Sequence, residues 1–365
     1  MSAYSALKVI HHQDRLDLLR ANSQPTPTQV QLIISDLCNQ DCEFCAYRMS
    51  GYLSNQLFTK GAELAKVGHD NPKRMIPFEK IIEILDDCVS MGVKAIQLTG
   101  GGEPTVHPKH IQVFDEVLTR DLDLALVTNG MKLGKGWKER LVEAKWVRFS
   151  VDAGTPETYA RIRRIGQSAW DRVWKHVRQL AERRDATGSD VVIGVGFVVT
   201  KENWREIPQC VERARYEGAD NVRISALFQN EGASYFYEIY DEVCERVLTA
   251  KSLAKSWFSV YDNFGDRLED LRQEKPDYRA CRIQHFNTYI GGDLNVYRCC
   301  VLAYNERGII GSIKDQSFKE LWESESKRLD FDRFDARGCP RCMFNQKNRV
   351  ISYALEKNPQ HVNFV

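Results

Sequence analysis

The sequence predicts an α/β protein, and three features lead there. Between Val30 and Leu227, six short apolar runs alternate with stretches of helical periodicity. Most of these runs stop abruptly at a polar or glycine-bearing turn, as strands do at their ends. Beyond residue 275 the alternation gives way to a shorter segment, with strand-like runs set between cysteines. Strict strand–helix alternation argues a parallel sheet with helices outside, and an open doubly wound sheet and a barrel both satisfy it.

Taken in order, residues 6–20 predict an amphipathic helix, with Leu7, Ile10, Leu16 and Leu19 apolar; His11 and His12 read as surface residues. Residues 21–28 are polar and proline-bearing, a linker into a buried strand over 30–35. Residues 47–75 are polar and weakly patterned, which suits a lid, a substrate-contacting insertion or a plain surface loop. Residues 77–91 read as a helix with Pro77 in its first turn and Cys88 on the core face.

Further strands are expected over 95–99, 122–128, 146–151, 191–200 and 221–227, and helices over 111–118, 137–144, 168–184 and 204–216. Residues 235–253 look helical with Cys244 in the core, 254–275 charged and connecting, and 286–290 and 294–297 strand-like. The expected organisation is an arm and linker over 1–28, a core over 29–230, connecting helices over 231–275, and a second domain with tail over 276–365.

The 365 residues leave ample room for a core, and the formal charge of +1 shows no global nucleic-acid footprint. No apolar run is long enough to span a membrane, and the start of the chain lacks the pattern of a signal peptide. Eleven cysteines, an odd number in two groups plus loners, do not form a disulfide framework, so a reducing cytoplasm is expected.

The chemistry centres on Cys38, Cys42 and Cys45, which follow directly on the first strand. The spacing also fits one helix face, but Asn39, Gln40 and Asp41 are turn formers. Thiolates favour iron–sulfur clusters, zinc or copper(I), and structural zinc usually takes four ligands. No fourth cysteine or histidine lies near, the next histidine being His69. Three thiols on one loop suit a four-iron cluster with one iron left open.

Cys38, Cys42 and Cys45, with Phe44 before the last, resemble the cluster motif of the radical S-adenosylmethionine (SAM) enzymes. The resemblance implies a 4Fe-4S cluster whose open iron chelates SAM. It also implies reductive cleavage of SAM to a 5′-deoxyadenosyl radical, and hydrogen abstraction from a substrate. A partial (β/α)6 TIM-like barrel is implied for the core, with chemistry at the C-terminal strand ends. The cysteine loop, the glycine run, Asn129 and Asp152 all fall there.

The run Gly100-Gly101-Gly102-Glu103-Pro104 resembles the family's motif for the methionine amino group. Thr128, Asn129, Ser150 and Asp152 stand at positions similar to those that meet ribose or the SAM carboxylate, although Asp152 or Thr155 can equally cap a helix. Ile224 and Ala226 lie where relatives pack adenine. His107 reads as structural. Arg161, Arg163 and Arg164 form a basic group with Arg172 and Lys175, from which one guanidinium can reach a carboxylate.

The second cysteine group is Cys281, Cys299-Cys300 and Cys339-Pro340-Arg341-Cys342, which alone would also suit zinc. In context it resembles the SPASM/twitch auxiliary domains, a small cysteine-rich α+β unit. The resemblance implies Cys281, Cys299, Cys339 and Cys342 as ligands of an auxiliary 4Fe-4S cluster. Two departures stand out: Leu294 replaces a usual glycine, and Cys300 is an extra thiol that can substitute for Cys299.

The expected function is a radical SAM enzyme acting on a small molecule, its second cluster serving electron transfer or structural support. A reductant such as flavodoxin or ferredoxin is implied. Alternatives are a maturase of a ribosomally made peptide, an RNA-modifying radical SAM enzyme and a zinc-binding interaction protein. No acid, base or hydrogen donor is assignable.

Overall fold

The computed structural model describes residues 3–47 and 74–364. The arm begins with a 3-10 turn, Ala6–His11, and continues as α1 (Gln13–Arg20). The single helix expected over 6–20 is therefore two pieces, because His12 leaves helical geometry at φ −108° and ψ 60°. Core elements follow as β1 (Gln29–Leu32), α2 (Phe78–Ser90), β2 (Ala95–Leu98), α3 (His110–Leu118), β3 (Asp123–Thr128), α4 (Trp137–Leu141) and β4 (Trp146–Ser150). Then come α5 (Pro156–Arg163), α6 (Ser168–Thr187), β5 (Val192–Val199), α7 (Ile207–Tyr216), β6 (Asn221–Ala226), α8 (Tyr240–Ser252), β7 (Ser259–Asn263) and α9 (Phe264–Arg272). The last part holds β8 (Asn287–Ile290), β9 (Asn295–Tyr297), β10 (Ile309–Ser312), α10 (Phe318–Glu323), α11 (Glu325–Arg333) and α12 (Asn345–Ala354).

Among the described residues the strands form one sheet in the order β10-β9-β8-β1-β2-β3-β4-β5-β6-β7. From β1 to β7 the neighbours are parallel and consecutive, the connectivity of a β/α barrel that is left open. Beyond β1 the second cysteine region joins the same sheet, because β8 pairs with β1 in parallel; β9 and β10 complete it antiparallel. Leu294, in the β8–β9 turn, takes φ +63°, a left-handed conformation in which glycine carries no strain.

Residues of period two divide the sheet. Val30, Leu32, Ile96, Leu98, Leu126, Val147, Phe149, Val222 and Ile224 are fully buried on the face that the helices cover. The other face presents Gln29, Gln31, Gln97, Arg148, Ser150 and Arg223, and there Gln29 donates to Gln97 at 2.7 Å. Cys88 is fully buried in the core and Cys244 packs against it half-buried, as expected.

Several elements escape the pattern of apolar runs, β7 and α5 among them. β7 is a sheet edge with only half-buried and exposed residues, so it carries no apolar run and sits in the stretch read as connecting. α5 is short, and its signals were the caps: Thr155 accepts from Thr158 N at 3.3 Å, and Pro156 opens the first turn. The insertion expected over 47–75 lies, apart from Tyr47, Arg74 and Met75, outside the described residues.

α6 supplies the largest fully buried side chain, Trp174, whose ring meets Trp170 edge-on at 5.5 Å between centroids. Trp174→Ala should destabilise the protein by about 3–5 kcal/mol through lost burial and the cavity left behind, as read by denaturant unfolding.

Candidate cluster and cofactor site

The cysteine loop is held by the glycine loop beside it. Gly102 N donates to Ser35 O at 3.1 Å, and Glu103 N donates to Leu37 O at 2.8 Å. A Cβ on Gly102 would collide with the Leu37 carbonyl, and one on Gly101 would stand 2.7 Å from Tyr304 Oη. The two backbones therefore touch with no room for a side chain between them. This is a packing reason for the glycines, beside any approach to a ligand.

Glu103 extends the brace to the next strand end. Its carboxylate accepts from Thr105 Oγ1 at 2.7 Å, from Thr128 Oγ1 at 2.6 Å and from Asn129 N at 2.7 Å. Asn129 Nδ2 in turn donates to Asn39 Oδ1 at 2.7 Å and reaches Cys38 Sγ at 3.9 Å. The expected residues Gly100, Gly101, Gly102, Glu103, Thr128 and Asn129 thus converge on the loop that carries Cys38.

From the other side the loop is tied to α5. Glu43 N donates to Ile162 O at 3.0 Å, and Asp41 N to Arg163 O at 3.4 Å. Arg163 is 3% exposed; it pairs with Asp152, donates to Gln40 Oε1 at 2.7 Å and reaches Cys42 Sγ at 3.8 Å. Phe44 is half-buried, its ring 5.9 Å from that guanidinium. Of the three arginines read as one basic group, Arg163 alone turns inward. Arg161 pairs with Glu202 and Arg164 with Asp41 at the surface.

Asp152, at φ +60°, also accepts from Val198 N at 2.7 Å. Both carboxylates expected at the cofactor, Glu103 and Asp152, are engaged by the protein itself. Ser150 ends β4 half-buried, and Ile224 and Ala226 are buried on β6. His107 is structural: its Nε2 lies 3.0 Å from Ile76 O.

In the second group Cys299 and Cys339 are buried with Val301 and Leu302, and Cys281 and Cys342 are half-buried. Cys342 Sγ accepts from Tyr278 Oη and from Phe344 N, both at 3.3 Å. Cys300 turns instead to Met343 Sδ at 3.8 Å. Burial, and then the neighbouring thiols Cys342 and Cys339, push Cys281 up to about 12. Cys342 is pushed up to about 11, chiefly by burial, and Cys299 goes up from burial and from Cys300, Cys281 and Cys342. Arg298, 2% exposed and paired with Asp330, offsets this at Cys281 and Cys339.

Such a donor set is costly to ionise alone and is relieved by a cationic iron core, so the residues present fit an iron–sulfur group. Among the described residues no three candidate ligands close around a single ion. A four-iron cluster spreads its thiolates over four corners and asks for wider spacing. Sequence reasoning missed Tyr278, Asn39 and Arg298. It grouped Arg163 with its neighbours, whereas helical spacing with Tyr159 and Ile162 would have placed it on the buried face.

An open parallel barrel with a three-thiol loop after its first strand, and a second thiol group that flanks the added β8–β9 hairpin and follows α11, fits an iron–sulfur enzyme with two cluster regions. The family model described as the radical SAM superfamily matches residues 32–214, and that of an iron–sulfur cluster-binding domain, SPASM, matches residues 281–343. The chain belongs to the radical SAM superfamily and is an enzyme of it, with SAM and 4Fe-4S clusters as cofactors.

A relative from Pyrococcus furiosus, the tungsten-containing aldehyde ferredoxin oxidoreductase cofactor-modifying protein, is 28% identical over 319 residues, 80% of each chain. A GTP 3′,8-cyclase from Nautilia profundicola is 32% identical over 170 residues, covering 45% of this chain and 49% of that one. In fold the chain is similar to Streptococcus suis SuiB bound to its precursor peptide SuiA. The TM-score there is 0.63 at 14% identity, over 91% of this chain and 73% of that one.

Gly102→Ala should cost about 1–3 kcal/mol by forcing the two loops apart. It should also lower the iron bound at the first site, measured as iron per chain after anaerobic reconstitution.

Proposed function

We propose that Cys38, Cys42 and Cys45 hold the first cluster, and that the protein uses it on a small organic substrate. The observation that carries this is the three-thiol loop itself, fixed at the strand ends by Asn129 on one side and Arg163 on the other. When bound, the cluster and SAM supply a reductive cleavage that leads to hydrogen abstraction. Donors aimed at Cys38 and Cys42 would stabilise the ionised thiols and fix the loop. Phe44 packs half-buried against the core beside Arg163. The backbone of Gly100–Gly102 would meet the methionine end of SAM, since the Glu103 carboxylate is already taken by Thr105, Thr128 and Asn129.

Ser150, Thr128, Asn129 and Asp152 would form the polar rim, and the backbone at Ile224 and Ala226 the adenine side. For the second cluster we assign Cys281, Cys299, Cys339 and Cys342; the turn of Cys300 toward Met343 supports Cys299 over Cys300. Four protein ligands leave no open iron, which supports electron transfer or structural support rather than substrate ligation. A flavodoxin or ferredoxin would supply the electron, and a cytoplasmic setting suits the free, unbridged thiols.

A small molecule is favoured by the relative named as a cofactor-modifying protein. A peptide substrate is the second reading, favoured by a mycofactocin maturase from Mycobacterium ulcerans that is 28% identical over 168 residues. Among the described residues no helix is long and apolar enough to cross a membrane.

Anaerobically reconstituted protein given SAM and a strong reductant should release 5′-deoxyadenosine. Replacing Cys38, Cys42 and Cys45 by alanine should abolish that release; cleavage that persists would refute the first site. Cys339→Ala with Cys342→Ala should remove about half the iron, with some loss of folding, because metal binding and folding are linked. Undiminished iron would refute the second site.

A further inference from the structure

On the inner face of the sheet, two arginines stand, among the described residues, without an acid to neutralise them. Arg148 lies on β4 and Arg223 on β6, with β5 between them. The register sets Arg148 beside Gly194, and both Ser150 and Arg223 beside Gly196. Arg223 is therefore level with Ser150 at the end of β4, and Arg148 is one layer deeper. Glycine at both β5 positions gives the side chains their space: a Cβ on Gly196 would meet Arg148 Cδ at 3.4 Å.

Aromatic rings surround the pair. Tyr4, from the N-terminal arm, lies 5.4 Å from each guanidinium and accepts a hydrogen bond from Arg148 Nη2 at 3.0 Å. Tyr4 also packs edge-on against Tyr261 of β7 at 5.1 Å, and the Trp146 ring is 4.8 Å from Arg148. These contacts hold the guanidinium groups in place, but none carries a negative charge.

The contrast with the other inward arginines is sharp. Arg163 has Asp152, and Arg298 has Asp330. Among the described residues neither Arg148 nor Arg223 takes part in an ion pair, and Arg223 Nε is buried with no hydrogen-bond partner. Burial, and then the charge of Arg148 and that of Arg267, pull Arg223 down to about 9, opposed by Tyr4 and more weakly by Asp152, which is already paired with Arg163. Two like charges kept partly out of water oppose folding unless something negative completes them.

We propose that Arg148 and Arg223 form the floor of the substrate site and bind an oxyanion of the substrate, a carboxylate or a phosphate. The inference rests on the reading of this barrel as a radical SAM active site. A guanidinium fork matches both oxyanions in geometry and charge. Held one layer below the strand ends, the anion would anchor one end of the substrate and direct the rest toward the cysteine loop. Such anchoring fixes which hydrogen faces the cofactor.

The test is calorimetric titration of the full, cluster-reconstituted chain with inorganic phosphate and, separately, with acetate, with and without saturating SAM. One anion should bind one per chain, and which of the two binds more tightly separates the two oxyanions. Arg223→Gln should weaken that binding at least tenfold, Arg148→Gln should weaken it as well, and Arg223→Lys should lie between. SAM should leave the binding intact. Displacement of the anion by SAM would assign the pair to the cofactor and overturn the proposal, as would equal affinity in wild type and both glutamine variants. A chain that binds the anion but releases no 5′-deoxyadenosine would instead fault the radical reading, so the two failures are distinct.

Discussion

The contact on which the rest of the site depends is the closure of the Gly101–Gly102 backbone on Asp36 and Leu37. It is a steric constraint before it is a chemical one: no side chain fits, so the second strand's loop must lie flat on the first strand's loop. From that contact the brace propagates through buried polar groups. Glu103 passes it to Thr128 and Asn129, and Asn129 passes it to the residues around Cys38. Each carboxylate oxygen is satisfied, as burial demands. Arg163 meets the same loop from α5, so a segment of eight residues rich in turn formers is fixed from two sides without secondary structure of its own.

Tyr304 brings the second cysteine region into the same arrangement. Its hydroxyl bonds Asp36, and the Arg74 guanidinium lies over its ring at 5.0 Å and pairs with Asp36 at 2.8 Å. Tyr289, on β8, donates to Gly100 O at 2.9 Å. The loop before Cys38, the glycine loop and the hairpin that precedes Cys299 are thus one connected body of hydrogen bonds and aromatic contacts.

Much of this was legible in the residues, and for physical reasons. Each strand from β1 to β6 buries apolar side chains on the helix-covered face, so β1 to β6 are visible as short apolar segments, and thiol spacing is sparse enough to identify the two cysteine groups. β7 was hidden because an edge strand needs no apolar run. The split arm was hidden because the apolar spacing of Leu7, Ile10, Leu16 and Leu19 does not register the break at His12. Glu103 is marked by its resemblance to a family motif and Asp152 as a polar group at a strand end, and both lie in the loops that follow their strands. What spacing could not show is that each carboxylate already has partners within the protein. The same limit applied to arginines: composition lists them, but only packing separates Arg163, which has an acid, from Arg148 and Arg223, which have none. Leu294 was noticed for replacing a glycine, and its φ of +63° supplies the reason glycine suits that turn.

The parallel pairing of β1 with β8 bears on how the chain is made. β1 leaves the ribosome well before β8, and β2 can cover one of its edges early. The other edge stays open until Asn287–Ile290 has been synthesised, with nearly the whole barrel in between. An uncovered strand edge invites pairing with other chains. The cysteine loop leaves that same strand, so a nascent chain in which β8 has not yet paired would expose a sticky edge on the strand that carries the thiols.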